Sequence, residues 1–527
     1  MDAGGCVTLE PPAEAPAPAT DRTADRTTDR RALIAFLLLV DLVVGVRLVL
    51  LLGVDGPATI DSGNWLAFGH DLLGPDVRSS SIVYPPVVPL LVVAATSVLG
   101  VEVGVAVVAA VTSALPAVGC FVVLWQARLR WFAVLLAGLV LAAGSSGEAA
   151  AWGGFPQLVA LGLLPPTLWL LDRFLRWGGV RRGLAFGAAV AIVLATSHFI
   201  ATAAVASGAV LVGLHAVVRP EPQAPSWPRR LRDALPGLAL SLPLVPLYLA
   251  LTSVGRAAAS SRPDTPEPSF ADLPGAADYV LRDFRILWWC LAVVAVLVPP
   301  LLADRRRTPL WLVSVSSTAT VVALFLYLRD MRVIYLLAPA GVLALGLLAV
   351  DVGVESTGRI TARPGRPAAL ALALLLVLQA LLGLQRFSSQ VDYYAVAADG
   401  VSDGVVWVGE HTDADVLVAV APVRGAPLGW WVEGRARRPA LVGSWLRWLS
   451  FPDEQRRARA ANAIFGPSFP TRAQVERARR YDVDLLLVSK AWSGYDRAAV
   501  SAAVARGDLV VRFQNRGVVV LGVRSPG

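Results

Sequence analysis

Residues 30–73 read RRALIAFLLLVDLVVGVRLVLLLGVDGPATIDSGNWLAFGHDLL, and the order of residue types in them decides the fold. Two arginines are followed by an apolar run from Ala32 to Gly53. That is close to the length of helix, about 20 residues, that crosses the hydrocarbon core of a bilayer. Arg30 and Arg31 place the start of the run on the cytoplasmic side, and no small-residue cleavage site ends it, so it reads as an anchored helix. Apolar runs of similar length recur as far as Leu384 and then stop. The remainder, 385–527, has the mixed composition of a water-exposed domain.

Composition supports lipid as the main solvent. The hydrophobic fraction is 56%, the charged fraction 16% and the mean hydropathy +0.61, too little polar material to cover a soluble chain of 527 residues. The net charge of +8 does not point to nucleic acid, because the arginines sit in short clusters at the ends of apolar runs, where they act as topology signals. Cys6, Cys120 and Cys290 are scattered, with neither metal-ligand spacing nor an even disulfide set.

The expected architecture is mainly α: a polytopic transmembrane helical bundle of about 11–13 spans with a small extracytoplasmic α/β domain at the C-terminus. Residues 1–31, with the near-repeat TDRTADRTTDRR, read as a disordered cytoplasmic tail, 32–384 as the membrane domain and 385–527 as the extracytoplasmic domain. Arginine clusters at 173–182, 229–232, 305–307 and 359–366 alternate with apolar runs and put the C-terminal domain outside. The front half does not close. Spans at 32–53, 82–99 and 103–125 leave Arg128 and Arg130 on the outer side and give an even total, so one segment between Tyr84 and Ala151 is misread as a full crossing or a helix there is missed. In the tail, Val405–Val408, 415–420, 484–488, 509–513 and 518–523 read as strands and 471–481 as a helix.

Polar residues crowd one membrane face. The first outer loop holds Asp55, Asp61, Asn64, Trp65, His70, Asp71 and Asp76 and ends in Tyr84-Pro85-Pro86. A plain reading makes 62–73 an amphipathic interfacial helix with Asp61 as an N-cap carboxylate. Glu148, Trp152-Gly153-Gly154-Phe155-Pro156 and Gln157 form a second outer group, either a belt-and-turn segment or a sugar-stacking wall with directional hydrogen bonds. His198 at the outer end of a span is a turn residue or a binding group. Arg329 and Arg332 lie on the outer face against the positive-inside bias, which suggests an anionic partner such as a phosphate.

These features together resemble the GT-C superfamily of polyprenyl-phosphate-sugar-dependent membrane glycosyltransferases. The resemblance rests on Ile60-Asp61-Ser62-Gly63-Asn64-Trp65, Tyr84-Pro85-Pro86, the stretch 332–339 (RVIYLLAP) and the tail motifs 404–412 (GVVWVGEHT), 429–435 (GWWVEGR) and 481–488 (YDVDLLLV). It implies transfer of a sugar from a polyprenyl-phosphate carrier to a cell-envelope glycan or protein acceptor. Asp61 would be the catalytic base, Arg329 or Arg332 the phosphate clamp, and Tyr84, His70, Glu148, Trp152, Gln157 and His198 substrate-binding groups. No Asp-Xaa-Asp or paired acidic motif follows the first span, so no metal ligand is assigned, and a divalent cation is left open. A transporter or flippase for a lipid-linked precursor and a non-catalytic scaffold are the competing readings; no internal repeat supports the former. The topology is testable: a reporter active only in the cytoplasm, fused after Gly527, is expected to be silent, and signal from it reverses every loop named here.

Overall fold

A computed structural model describes residues 19–74, 84–142, 144–218, 225–249, 290–302, 308–328, 335–354, 366–422, 429–443 and 452–524. The membrane body is built from α1 (Ala19–Leu52), α2 (Ser62–Leu73), α3 (Val87–Leu99), α4 (Val101–Thr112), α5 (Leu115–Gln126), α6 (Arg130–Ala142), α7 (Gly144–Trp152), α8 (Phe155–Trp177), α9 (Val180–Thr196), α10 (His198–Val218) and α11 (Trp227–Ala239). It continues with α12 (Cys290–Leu301), α13 (Pro309–Leu328), α14 (Leu337–Val354) and α15 (Arg366–Tyr394). Among the described residues four helices, at Asp29–Leu52, Val101–Gln126, Phe155–Trp177 and His198–Val218, are long and apolar enough to cross a membrane unaided. Each satisfies its own backbone polar groups, as a lipid environment demands. The pair α6 and α7 passes the same test together but is bent by 47° between them.

Helix α1 begins at Ala19, so 19–31 is helical where the sequence suggests disorder. Helix α15 likewise runs through Gln385 to Tyr394 without a break.

The misread segment is α3. Its 13 residues reach about 20 Å, short of the hydrocarbon core. At one end Tyr84 packs its ring 4.7 Å from that of Trp65 on α2. Just beyond the other end, Glu102 pairs with Arg435 of the C-terminal domain at 2.5 Å. Both ends therefore lie on the face that carries that domain, and α3 lies along it instead of crossing. The span Val101–Gln126, made of α4 and α5, then crosses, which brings Arg130 to an ion pair with Asp29 at the far end of α1. The conflict over Arg128 and Arg130 disappears.

The C-terminal domain centres on β1 (Val418–Val420), β2 (Leu485–Ser489), β3 (Leu509–Gln514) and β4 (Val518–Val523) in the order β1-β2-β4-β3, with β1 parallel to β2 and the other pairs antiparallel. All of β2 is buried, and Phe465, Phe469, Val475 and Leu486 share one core with Leu521. Helix α16 (Val401–His411) occupies the stretch read as a strand at Val405–Val408. Val401, Val405 and Val408 are buried at helical spacing, so a four-residue apolar run was part of a longer period of 3.6. The helices α17 (Pro452–Ile464), α18 (Arg472–Arg480) and α19 (Arg497–Ala505) complete the domain, and α18 starts at a capping box of Thr471 and Gln474.

One buried cation ties the membrane body together. Arg47 of α1 is 5% exposed and donates to the Leu141 carbonyl at 2.9 Å and the Ser113 carbonyl at 3.3 Å, with its guanidinium 5.6 Å from the centre of the Phe387 ring. Leu141 lies in the last turn of α6 and Ser113 caps α4, so both acceptors are helix-end carbonyls that lack intrahelical partners and carry the negative end of a helix dipole. Hydrogen bonds to charged groups contribute about 1.5–3 kcal/mol each, net. Arg47→Leu is expected to destabilise the protein by about 3 kcal/mol, and Arg47→Lys by less. Thermal unfolding in detergent measures this, and equal melting of wild type and Arg47→Leu contradicts it.

Candidate active site

The site is assembled where α2 meets the elbow between α7 and α8. Asp61 precedes α2, and its side chain makes no capping hydrogen bond, so the carboxylate is not spent on the N-terminus of that helix. Its backbone N–H donates to the Trp152 carbonyl at 3.0 Å. Four residues on, the Trp65 indole Nε1 donates to the Gly153 carbonyl at 2.7 Å. Gly153 has φ +96, and a Cβ placed there would stand 2.9 Å from the Asp61 Cβ. Only glycine satisfies both the backbone turn and the approach.

Behind this junction lies a polar chain in an otherwise apolar environment. Tyr335 donates its hydroxyl hydrogen toward Glu148 Oε2 at 3.4 Å, and the Trp152 indole donates to the Tyr335 oxygen at 3.3 Å. Glu148 and Tyr335 are both buried. Helices α7, α8 and the segment leading into α14 thus bring Asp61, Trp152, Glu148 and Tyr335 to one place. A small cavity beneath Tyr335 is lined by Ser145, Ser146, Leu158 and Pro339.

An aromatic wall extends from the junction. Tyr84 stacks on Phe68 with ring centres 5.7 Å apart and meets His198 edge-on at 5.5 Å. Tyr84 and His198 therefore join the site through Trp65. Gln157, in the first turn of α8, is buried, and its Oε1 has no partner among the described residues. Arg329, Arg332 and Asp76 lie outside the described residues. Among the described residues no group of three or more His, Cys, Asp or Glu stands together as a metal site would need.

His70 lies apart from the Asp61 junction. At roughly 100° per residue it falls on the side of α2 opposite Asp61. There its Nδ1 accepts from Arg437 of the C-terminal domain at 3.0 Å. Three residues that the sequence reading did not select complete the picture. Tyr335 was legible only as part of the stretch 332–339, Trp65 as an aromatic beside Asp61, and Gly153 as half of a Gly-Gly turn.

The C-terminal domain covers α2 from the other side. Its segment Gly429–Ala436 packs on the helix so closely that a Cβ on Gly63 would lie 2.8 Å from the Trp431 ring, and one on Gly434 2.4 Å from the Gly63 carbonyl oxygen. Arg435 reaches Ser402 as well as Glu102, and Arg516 pairs with Asp55.

The fold is a polytopic helical body with a small α/β domain seated on its rim. No protein-family model and no curated protein matches the chain, but solved structures of that fold do. The crystal structure of apo ArnT from Cupriavidus metallidurans is 15% identical, with a TM-score of 0.50 over 95% of this chain and 98% of that one. The cryo-EM structure of the arabinofuranosyltransferase AftD from mycobacteria gives 0.52 at 14% identity, covering 94% of this chain and 40% of AftD. The apo oligosaccharyltransferase of Archaeoglobus fulgidus gives 0.51 at 13%, covering 89% and 70%. All three are GT-C glycosyltransferases, and at such identities the likeness is one of fold.

The contact between His70 and Arg437 is expected to make the stability of the folded protein pH-dependent. Burial, and then the Arg437 guanidinium, hold the imidazole below its usual range, while Asp71 opposes them. The unfolded chain therefore takes up a proton at His70 more readily than the folded one, and the stability from this contact is present above the ordinary histidine value of about 6.5 and lost as pH falls below it. Wild type should lose more melting temperature than His70→Gln between about pH 7.5 and pH 5.5. Parallel losses in the two proteins exclude His70 as the titrating group.

Proposed function

We propose that the chain is a membrane glycosyltransferase that moves a sugar from a polyprenyl-phosphate carrier to an acceptor hydroxyl on the face bearing the C-terminal domain, with Asp61 as the base. The observation that carries the reading is the placement of Asp61: fixed through its backbone by Trp152, not consumed in capping, and set beside the Glu148–Tyr335–Trp152 chain. The GT-C fold supports the same class of reaction. ArnT of Cupriavidus metallidurans has also been solved bound to undecaprenyl phosphate, a carrier of this chemical class.

In this reaction the acceptor oxygen forms a bond to the anomeric carbon as the bond from that carbon to the carrier phosphate breaks, with inversion. Asp61 takes the proton of the acceptor hydroxyl, and the carrier phosphate leaves with the electron pair of the broken bond. A positioned base contributes about 10²–10⁴-fold, and a cation is needed to hold the departing phosphate. Arg329 and Arg332 are proposed for that second role from their place in the sequence. The Trp65, Phe68 and Tyr84 rings offer apolar faces of the kind that stack on sugars, and Glu148 and Tyr335 offer directional hydrogen bonds.

Asp61→Asn keeps the shape and removes the base. Transfer from a panel of polyprenyl-phosphate sugars should fall by about a hundredfold or more relative to wild type at matched melting temperature. Equal rates remove Asp61 from this role. The absence of transfer by wild type across the panel, with and without added divalent cation, transfers the weight to transport of a lipid-linked precursor.

A further inference from the structure

Helix α1 carries a carboxylate at the middle of its lipid-facing side. The apolar stretch Asp29–Leu52 has only 11% of its most apolar window buried within the protein, and Asp41 lies about 17 Å along the helix from either end. Asp41 is exposed and has no partner among the described residues. The buried side of the helix, with Ala32, Phe36, Arg47 and Leu51, faces the other way. An ionisable side chain turned toward hydrocarbon is unfavourable unless it meets a cation or a hydrogen-bond donor.

The surroundings of Asp41 have the geometry of a helix-pairing seam. Ile34, Leu38, Asp41, Gly45, Val49 and Leu52 are all exposed and follow one another in steps of three and four residues, the spacing that keeps one stripe against a neighbouring helix. Gly45, one turn beyond Asp41, has nothing within 4 Å of where a Cβ would stand, so a second backbone can come close there. The carboxylate and the small residue are independent features on one stripe, and both suit a partner helix better than lipid.

We propose that this stripe docks a transmembrane helix of another polypeptide that carries a basic side chain at bilayer mid-depth. Charge decides against a second copy of this chain as the occupant. Two copies inserted in the same direction and paired along this stripe would bring Asp41 against Asp41, two like charges in a medium of low dielectric constant. A lysine or arginine at the same depth neutralises the carboxylate and supplies its donors. The inference concerns the lipid-facing side of α1 and is independent of the reaction proposed above.

The test uses the full-length protein, fluorescently labelled, in liposomes of zwitterionic lipid, with synthetic leucine-rich transmembrane peptides bearing a single central arginine, a central glutamate or neither. Energy transfer between protein and peptide reports binding. The arginine peptide should bind about tenfold or more tightly than the all-leucine one. Asp41→Leu should abolish the difference, and Gly45→Leu should weaken the arginine peptide while leaving the melting temperature of the protein unchanged. Equal binding of the arginine and leucine peptides, or binding indifferent to Asp41→Leu, overturns the proposal. Asp41-dependent energy transfer between two labelled copies of the protein, without peptide, assigns the stripe to self-association and overturns it equally.

Discussion

The close approach of Asp61 to Gly153 is the contact on which the site depends. Neither partner belongs to a membrane-crossing segment. Asp61 sits ahead of a 12-residue helix on one face of the bundle, and Gly153 lies in the turn after the nine-residue α7. Short elements at a membrane rim cannot satisfy their backbone groups alone, and lipid offers no hydrogen bonds. They satisfy one another: the Asp61 N–H goes to Trp152 O and the Trp65 indole to Gly153 O. The approach that a side chain at 153 would prevent therefore fixes the Asp61 backbone beside Trp152.

Arg47 supplies the electrostatic counterpart of that steric constraint. The bundle breaks two of its helices near the same depth, between α4 and α5 and between α6 and α7, and each break leaves carbonyls at a helix end. A guanidinium with several donors in a fixed fork can serve both ends from a third helix, as one ammonium point charge does less well. The break it stabilises is the one that turns α7 toward the site, and Gly147 of α7 stands beside it, its Cβ position 3.6 Å from the Arg47 Nη2. Sequence reading passed over Arg47 because a single arginine in an apolar run carries no sign of what it will face.

Long-range order in the membrane domain was legible from the sequence, and its exceptions have physical causes. Full-length spans declare themselves by length and apolarity, and the strands of the tail from 484 onward by short apolar runs between polar turns. The helix α3 escaped because a rim helix and a crossing helix can share the same residues: Leu90, Leu91, Val98 and Leu99 are exposed and Val88, Val92 and Val93 are buried. Only tertiary contacts, Glu102 with Arg435 and Arg130 with Asp29, fix which face each end occupies. In the site, Asp61, Glu148 and Trp152 stood out as polar or amphipathic groups in apolar frames, while Tyr335 is remote in sequence and His70 was grouped with Asp61 by proximity along the chain, although their helix turns them to opposite sides.

The two faces of α2 account for the position of the C-terminal domain. One side of the helix holds Trp65 and the Asp61 end against the α7–α8 elbow, and the other receives Trp431, Gly434 and Arg437. An interfacial helix of this length has little independent stability, since helices shorter than about 12–15 residues are marginal in water. Its order must come from packing on both sides. The tail domain is thus a structural wall of the site: the Trp430–Trp431 segment presses α2 toward the bundle, and the ion pairs of Arg435 and Arg516 bind the domain to the start of α4 and to the end of the first crossing. A site made in this way is organised only when membrane body and tail are both folded, so a mutation in the Gly429–Ala436 segment should be felt at Asp61 through the packing of α2.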